Sequence, residues 1–128
     1  MISQSVLFIA AGAIGMGVAV LHGVLMQRLM IAPLLAGNDL PARGRGIFPI
    51  LMHYSTAVWL LAGAALVWAS AALPAEATVV MACTAAVLYS LGAIGNFVGT
   101  RGRHFGWIPL TGSVALIVWG VALGSAGA

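Results

Sequence analysis

The sequence contains no lysine, only two acidic residues, Asp39 and Glu76, and a single cysteine in 128 positions. Each scarcity removes a class of protein. Charged residues make up 5% of the chain, where a soluble globular domain carries roughly a quarter, so no water-facing surface of ordinary composition can be built. Two well-separated carboxylates provide no general acid–base pair. Neither lies deep in an apolar run, which excludes a proton-coupled carrier of the small multidrug type with its membrane-embedded carboxylate. One cysteine allows no intrachain disulfide and no C-x-x-C motif, and the apolar setting of Cys83 reads as a small core residue. No Walker or dinucleotide glycine loop follows a strand, and no Ser-His-Asp or Cys-His arrangement is evident. The formal charge of +3 comes from five scattered arginines rather than a basic patch, which argues against a nucleic-acid partner.

What is abundant is apolar length. The chain is 62% hydrophobic with a mean hydropathy of +1.13. Four runs, at about 5–30, 47–72, 75–99 and 105–124, are each long enough to cross a ~30 Å hydrocarbon core at 1.5 Å per helical residue. The expected fold is therefore all-α: one integral membrane four-helix bundle over 1–128. The N-terminus lacks the positive region of a secretory signal, so the first run is expected to remain as a transmembrane helix. Pro33 is expected to end that run, while Pro49 and Pro109 fall in the opening turns of the second and fourth, where a missing N–H does no damage. Leu73-Pro74 makes so short a turn that helices two and three must be antiparallel neighbours.

Arginine placement predicts orientation. Arg28, Arg43 and Arg45 flank the first loop and Arg101 and Arg103 the third, so both loops are expected in the cytoplasm of a bacterial inner membrane, with both termini periplasmic. The arginines also suit anionic headgroups. Gly12-Ala-Ile-Gly15 recurs as Gly92-Ala-Ile-Gly95, Arg43-Gly-Arg45 as Arg101-Gly-Arg103, and Gly46-Ile-Phe-Pro49 with Trp59 as Gly106-Trp-Ile-Pro109 with Trp119. Two tandem helical hairpins related by an axis along the membrane normal would produce that order; chance within an Ala/Gly/Val vocabulary is the competing explanation.

Small residues let backbones approach in lipid, where the hydrophobic effect between helices is absent. Ala11, Gly15, Ala19 and Gly23 form such a row on the first helix; Gly92, Gly95, Asn96 and Gly99 form one on the third, and Gly112, Gly120 and Gly124 one on the fourth. The rows predict tight packing, within the chain or against another.

Three histidines are the candidate chemistry. His22 lies six residues before Arg28 and His53 eight after Arg45, about 9–12 Å below each arginine, so the two are expected at one depth on neighbouring helices, with His104 at the cytoplasmic mouth. Two imidazoles at one depth could hold a haem, and His22, His53 and His104 a divalent metal; hydrogen bonding to a neighbouring helix is the plainer alternative. Asn96 is the polar residue expected deepest in the bilayer, where an interhelical hydrogen bond would account for it. Gln27 and Tyr89 are placed nearer the ends.

At Leu21-His22-Gly-Val-Leu-Met-Gln27-Arg28, Met52-His53 and Thr100-Arg-Gly-Arg-His104-Phe-Gly-Trp107, the chain resembles, along its whole length, a group of small four-helix bacterial membrane proteins. These carry H-S-x-L-G-E-R, W-H and S-R-G-R-H-L-A-W motifs. Gln27 stands where that group has Glu and Met52 where it has Trp. The resemblance implies the topology and gives weight to His22, Arg28, His53, Arg101, Arg103 and His104; it implies no reaction. The expectation is thus a non-enzymatic membrane protein in contact with lipid and other membrane helices, as a homo-oligomer or as an accessory subunit of a respiratory or photosynthetic complex. A haem or metal binder using His22 and His53, and a small channel or carrier, are the alternatives.

Overall fold

The computed structural model describes residues 3–37 and 40–126, so Asp39 lies outside the described residues. Four helices are long and apolar enough to cross a membrane, and they form an all-α bundle. The first, α1 (Gln4–Ala36), starts where the Ser3 hydroxyl accepts the Val6 N–H, a helix N-cap. It does not stop at Pro33 as the sequence suggests. A π-helical turn at Gln27–Ile31 intervenes, with the Ala32 N–H reaching back to the Gln27 carbonyl. The α conformation restarts at Ala32 with Pro33 in its first turn, where the absent N–H costs nothing.

The Arg45 guanidinium closes the loop that follows. Its Nη2 donates to the Gly37 carbonyl at 2.8 Å, Nη1 to Leu35 at 3.3 Å and Nε to Leu40 at 3.3 Å. One helical turn, Ala42–Arg45, then leads into α2 (Ile47–Ala72) with Pro49 in its first turn, as expected. After Leu73 and Pro74 comes α3 (Ala75–Thr100). The buried Thr78 hydroxyl points into carbonyls of that turn, 3.0 Å from Ala69 and 3.1 Å from Pro74, and pins the α2–α3 hairpin. At its far end α3 closes with the Gly102 N–H on the Phe97 carbonyl (2.7 Å) and the Arg101 N–H on Val98 (3.2 Å). This Schellman closure puts Arg101 in the left-handed region at φ 53°. The fourth helix, α4 (Trp107–Ala126), follows.

The helices run up and down around a square: α1 touches α2 and α4, α3 touches the same two, and α1 and α3 face each other across the diagonal. The core is densest in the half remote from the arginines and reaches Ile31 and Leu110 at the other end. Phe8, Ala11, Leu66, Ala82, Ala85 and Ile117 are buried in the denser half. Tyr89 is also fully buried, at the centre of the bundle rather than near an end; its hydroxyl donates to the Trp59 carbonyl at 3.4 Å.

The small-residue row of α1 is buried as expected. A Cβ on Gly15 would run into the Tyr89 hydroxyl, and one on Gly23 would lie 2.8 Å from Thr56 Cγ2. On α4, Gly120 seats the Phe8 ring, but Gly112 has nothing near it and is not part of that contact. Cys83 is exposed on the outer surface, a correction to its reading as core. In a membrane protein an apolar run faces lipid as readily as it faces the interior, so apolar neighbours do not mark burial.

Candidate functional site

Packing changes toward the arginine-bearing end. No residue of α2 before Trp59 is buried, and none of α3 after Ala93. Burial on α2 and α3 ends there at a partition of His22, Trp59 and Asn96, while Met26 and Ile31 of α1 and Leu110 of α4 stay buried. The His22 ring lies on the Trp59 indole with centroids 4.9 Å apart, tilted by 53°. Trp59 is held from behind because Gly92 has no side chain to displace it. Asn96 Nδ2 donates to the Gly92 carbonyl at 2.9 Å, so the expected interhelical bond is instead a bond back to its own helix.

His104 is fixed by its loop. Its backbone N–H donates to the Thr100 hydroxyl at 3.1 Å, and that hydroxyl donates to the Asn96 carbonyl at 2.6 Å. The imidazole Nδ1 accepts the Gly106 N–H at 3.1 Å. An Nδ1 that accepts carries no proton, so Nε2 is the donor. Gly106 makes this turn, since a Cβ there would lie 2.7 Å from the imidazole.

The partition separates two openings. A cavity of about 470 Å³ opens between α1 and α4, lined among others by Leu25, Trp59, Asn96, Arg103, His104 and Phe105. A groove of about 760 Å³ runs between α2 and α3 past Leu51, Tyr54, Leu91, Gly95, Asn96 and Gly99. His22 borders both.

His53 stands apart from the partition. Its Nε2 lies 3.0 Å from Gln27 Oε1, donating from the ring to the amide oxygen. His22 and His53 are therefore not a facing pair at one level: the level of His22 on α2 is Trp59, six residues deeper than His53. Equal depth for His22 and His53 requires Arg28 and Arg45 to mark one plane. Arg45 instead bonds Leu35 of α1, seven residues beyond Arg28, a difference of about 10 Å along a helix. His22 does lie within electrostatic range of both His104 and His53. Among the described residues, however, no three His, Cys, Asp or Glu side chains could hold a metal ion together, and the trio His22, His53 and His104 is not such a site.

Of the arginines, Arg45 is the loop clamp, which its charge alone did not reveal. Arg28, in the π turn, and Arg43, Arg101 and Arg103 are exposed. Arg103 makes no side-chain hydrogen bond or ion pair among the described residues, and it edges the cavity. The Gln27–His53 pair, the buried Tyr89 and the seating of Trp59 on Gly92 also escaped sequence reasoning. The Gly12/Gly92 and Trp59/Trp119 repeats were the available signal for the last.

These features define a polytopic helical membrane protein, an up-and-down four-helix bundle with a histidine-bearing end. No family model, curated protein or solved structure matches the chain.

Proposed function

We propose that the protein is a non-enzymatic component of a bacterial inner membrane that acts by lateral association, receiving a transmembrane helix in the groove along α3. One observation carries this reading. Gly12, Gly15, Gly23, Gly63, Gly92 and Gly120 are each occupied by a neighbouring side chain or backbone; Gly17, Gly46, Gly95, Gly99 and Gly112 have nothing within 4 Å, and of these only the G-x-x-x-G pair Gly95 and Gly99 lines the groove. In lipid, dispersion at close backbone approach is the main attraction between helices, so an unfilled pair beside an open groove fits a helix from outside the chain. The positive-inside rule places the arginine-bearing end in the cytoplasm and both termini in the periplasm.

Replacing Gly95 or Gly99 by Leu tests the reading, because a Cβ at either position has nothing of its own chain within 4 Å. The particle mass in lipid nanodiscs is expected to fall to that of the 13.0 kDa monomer, or a partner from native membrane to be lost, with thermal stability unchanged. Unaltered mass and partners in both variants would overturn it. The mass separates a second copy from a larger complex. In a Cys83→Ala background, labelling of Gly44→Cys and Gly102→Cys by a membrane-impermeant thiol reagent from the cytoplasmic side tests the orientation, and labelling from the periplasmic side only would overturn it.

A further inference from the structure

The cavity between α1 and α4 lies on the other side of the His22–Trp59 partition from the α3 groove, and its chemistry is different. Its walls are apolar: Val18, Leu21 and Leu25 from α1 and Ile108 from α4, with Trp59 closing the inner end. Leu21, Leu25, Ile108 and Phe105 are exposed at the lip, so the opening is edged by apolar side chains. Of its polar residues, Asn96 and His104 meet beside Gly106 with Arg103 next in the chain, forming one corner, while His22 lies against Trp59 at the inner end.

That corner is cationic. Arg103 is permanently charged and without a side-chain partner among the described residues. His104 has its Nδ1 occupied by the Gly106 N–H, which leaves Nε2–H to offer. Asn96 has spent one amide proton on Gly92. Among the described residues no acidic side chain lines the cavity, and Glu76, at the start of α3, is at the opposite end of the bundle. A pocket that is apolar along its length and rich in donors at one membrane-interface corner matches a molecule with an apolar chain and an anionic, hydrogen-bond-accepting head.

We propose that this cavity binds the acidic headgroup of a membrane amphiphile, a fatty-acid carboxylate or a phospholipid phosphate. Arg103 supplies the charge, His104 Nε2–H donates beside it, and the first part of the chain lies over Leu21, Leu25 and Ile108 against Trp59. The proposal uses neither the α3 glycines nor any partner helix, so it stands or falls separately from lateral association.

Trp59 at the inner end is a built-in reporter. In a chain whose Trp68, Trp107 and Trp119 are replaced by Phe, bromine on an acyl chain quenches Trp59 only on close approach. Reconstitution into neutral phosphatidylcholine vesicles, titrated with brominated stearic acid, brominated phosphatidylglycerol or brominated phosphatidylcholine, reads occupancy directly. Saturable quenching is expected at low mole fraction of an acidic species, with the neutral lipid giving only a gradual bulk response. Saturation by stearic acid alone, by phosphatidylglycerol alone or by both supports the site and names its source. Arg103→Gln is expected to raise the half-saturating fraction about tenfold, the loss of one charge-assisted contact. Arg103→Lys should hold it within about threefold, since the charge is kept though the fork is lost. Arg43→Gln, at the same end but outside the cavity, controls for general surface attraction and should leave the titration unmoved. Because Arg103 is exposed and unpartnered, its variants should fold as the parent does. Equal quenching by neutral and acidic lipid, or equal effects of Arg43→Gln and Arg103→Gln, would overturn the proposal.

Discussion

The two hairpins of this bundle carry the same short sequence pieces and use them differently. In the first, Gly15 is packed against Tyr89, Trp59 is buried and Arg45 clamps a loop. In the second, Gly95 meets nothing, Trp119 is half exposed and Arg103 has no side-chain partner among the described residues. Gly12 and Gly92 are used alike, Gly12 abutting the Gly63 carbonyl and Gly92 the Trp59 ring, as are Pro49 and Pro109 in the first turns of α2 and α4. In the square arrangement α1 and α3 occupy opposite corners, and Gly15 meets Tyr89 at mid-bundle while Gly95 lies six residues beyond Tyr89 toward the arginine-bearing end. The difference is that one hairpin satisfies its own pieces internally while the other presents them outward, toward a groove and a cavity.

The largest expected contrast is between the two tryptophans. Trp59 is 6% exposed and separates the cavity from the groove, whereas Trp119 is 49% exposed toward lipid. Trp59→Ala should cost about 3 kcal/mol of folding stability in detergent, at the low end of such truncations because the unfolded reference in an apolar phase forfeits little transfer energy. Trp119→Ala should cost less than about 0.5 kcal/mol. Comparable losses in chemical unfolding titrations would remove the asymmetry.

Next come the glycines. Gly15→Leu forces a side chain onto the Tyr89 hydroxyl in the middle of the core and is expected to destabilise by about 2.5 kcal/mol; Gly95→Leu should leave the midpoint where it was. If both variants melted early in detergent, where lateral partners are absent, the α3 groove would have to be filled by the chain itself.

These contrasts also mark how far the sequence could be read. The four spans, the short α2–α3 turn, the proline positions in α2 and α4 and the clustering of arginines at one end follow from apolar run length and charge, which lipid makes decisive. Side-chain level does not follow from such counting. One depth for His22 and His53 follows only if Arg28 and Arg45 are coplanar, but α1 continues through Pro33 by way of a π turn, and Arg45 meets it at Leu35 rather than Arg28. Tyr89 and Cys83 were misplaced for a related reason: in a chain this apolar, hydrophobicity does not tell the interior face from the lipid face. The α1 glycine row was readable because only close backbone approach needs it. The Arg45 clamp was not, since it depends on where three loop carbonyls point.

That clamp provides the third contrast. Arg45→Ala releases the carbonyls of Leu35, Gly37 and Leu40 and should cost about 1.5 kcal/mol, water taking up part of the loss at this half-buried site. Arg103→Ala should change thermal stability by less than about 0.5 kcal/mol, its consequence lying in amphiphile binding instead. Proteolysis of the α1–α2 loop, faster in Arg45→Ala and unchanged in Arg103→Ala, would check the local origin of the effect.

The smallest contrast lies in the first arginine of each R-G-R. Arg43 sits in a helical turn, while Arg101 occupies the left-handed region at φ 53° to close α3. A side chain there strains against its own backbone by about 1 kcal/mol, which glycine escapes. Arg101→Gly should therefore stabilise the bundle by about that amount, even though Gly102 beside it already adopts φ 75°. Arg43→Gly should destabilise by up to about 1 kcal/mol through lost helix propensity. The same replacement at equivalent points of the two halves is thus expected to move the unfolding midpoint in opposite directions. Shifts of the same sign would mean that the two loops, despite their shared residues, do not differ in backbone conformation as described.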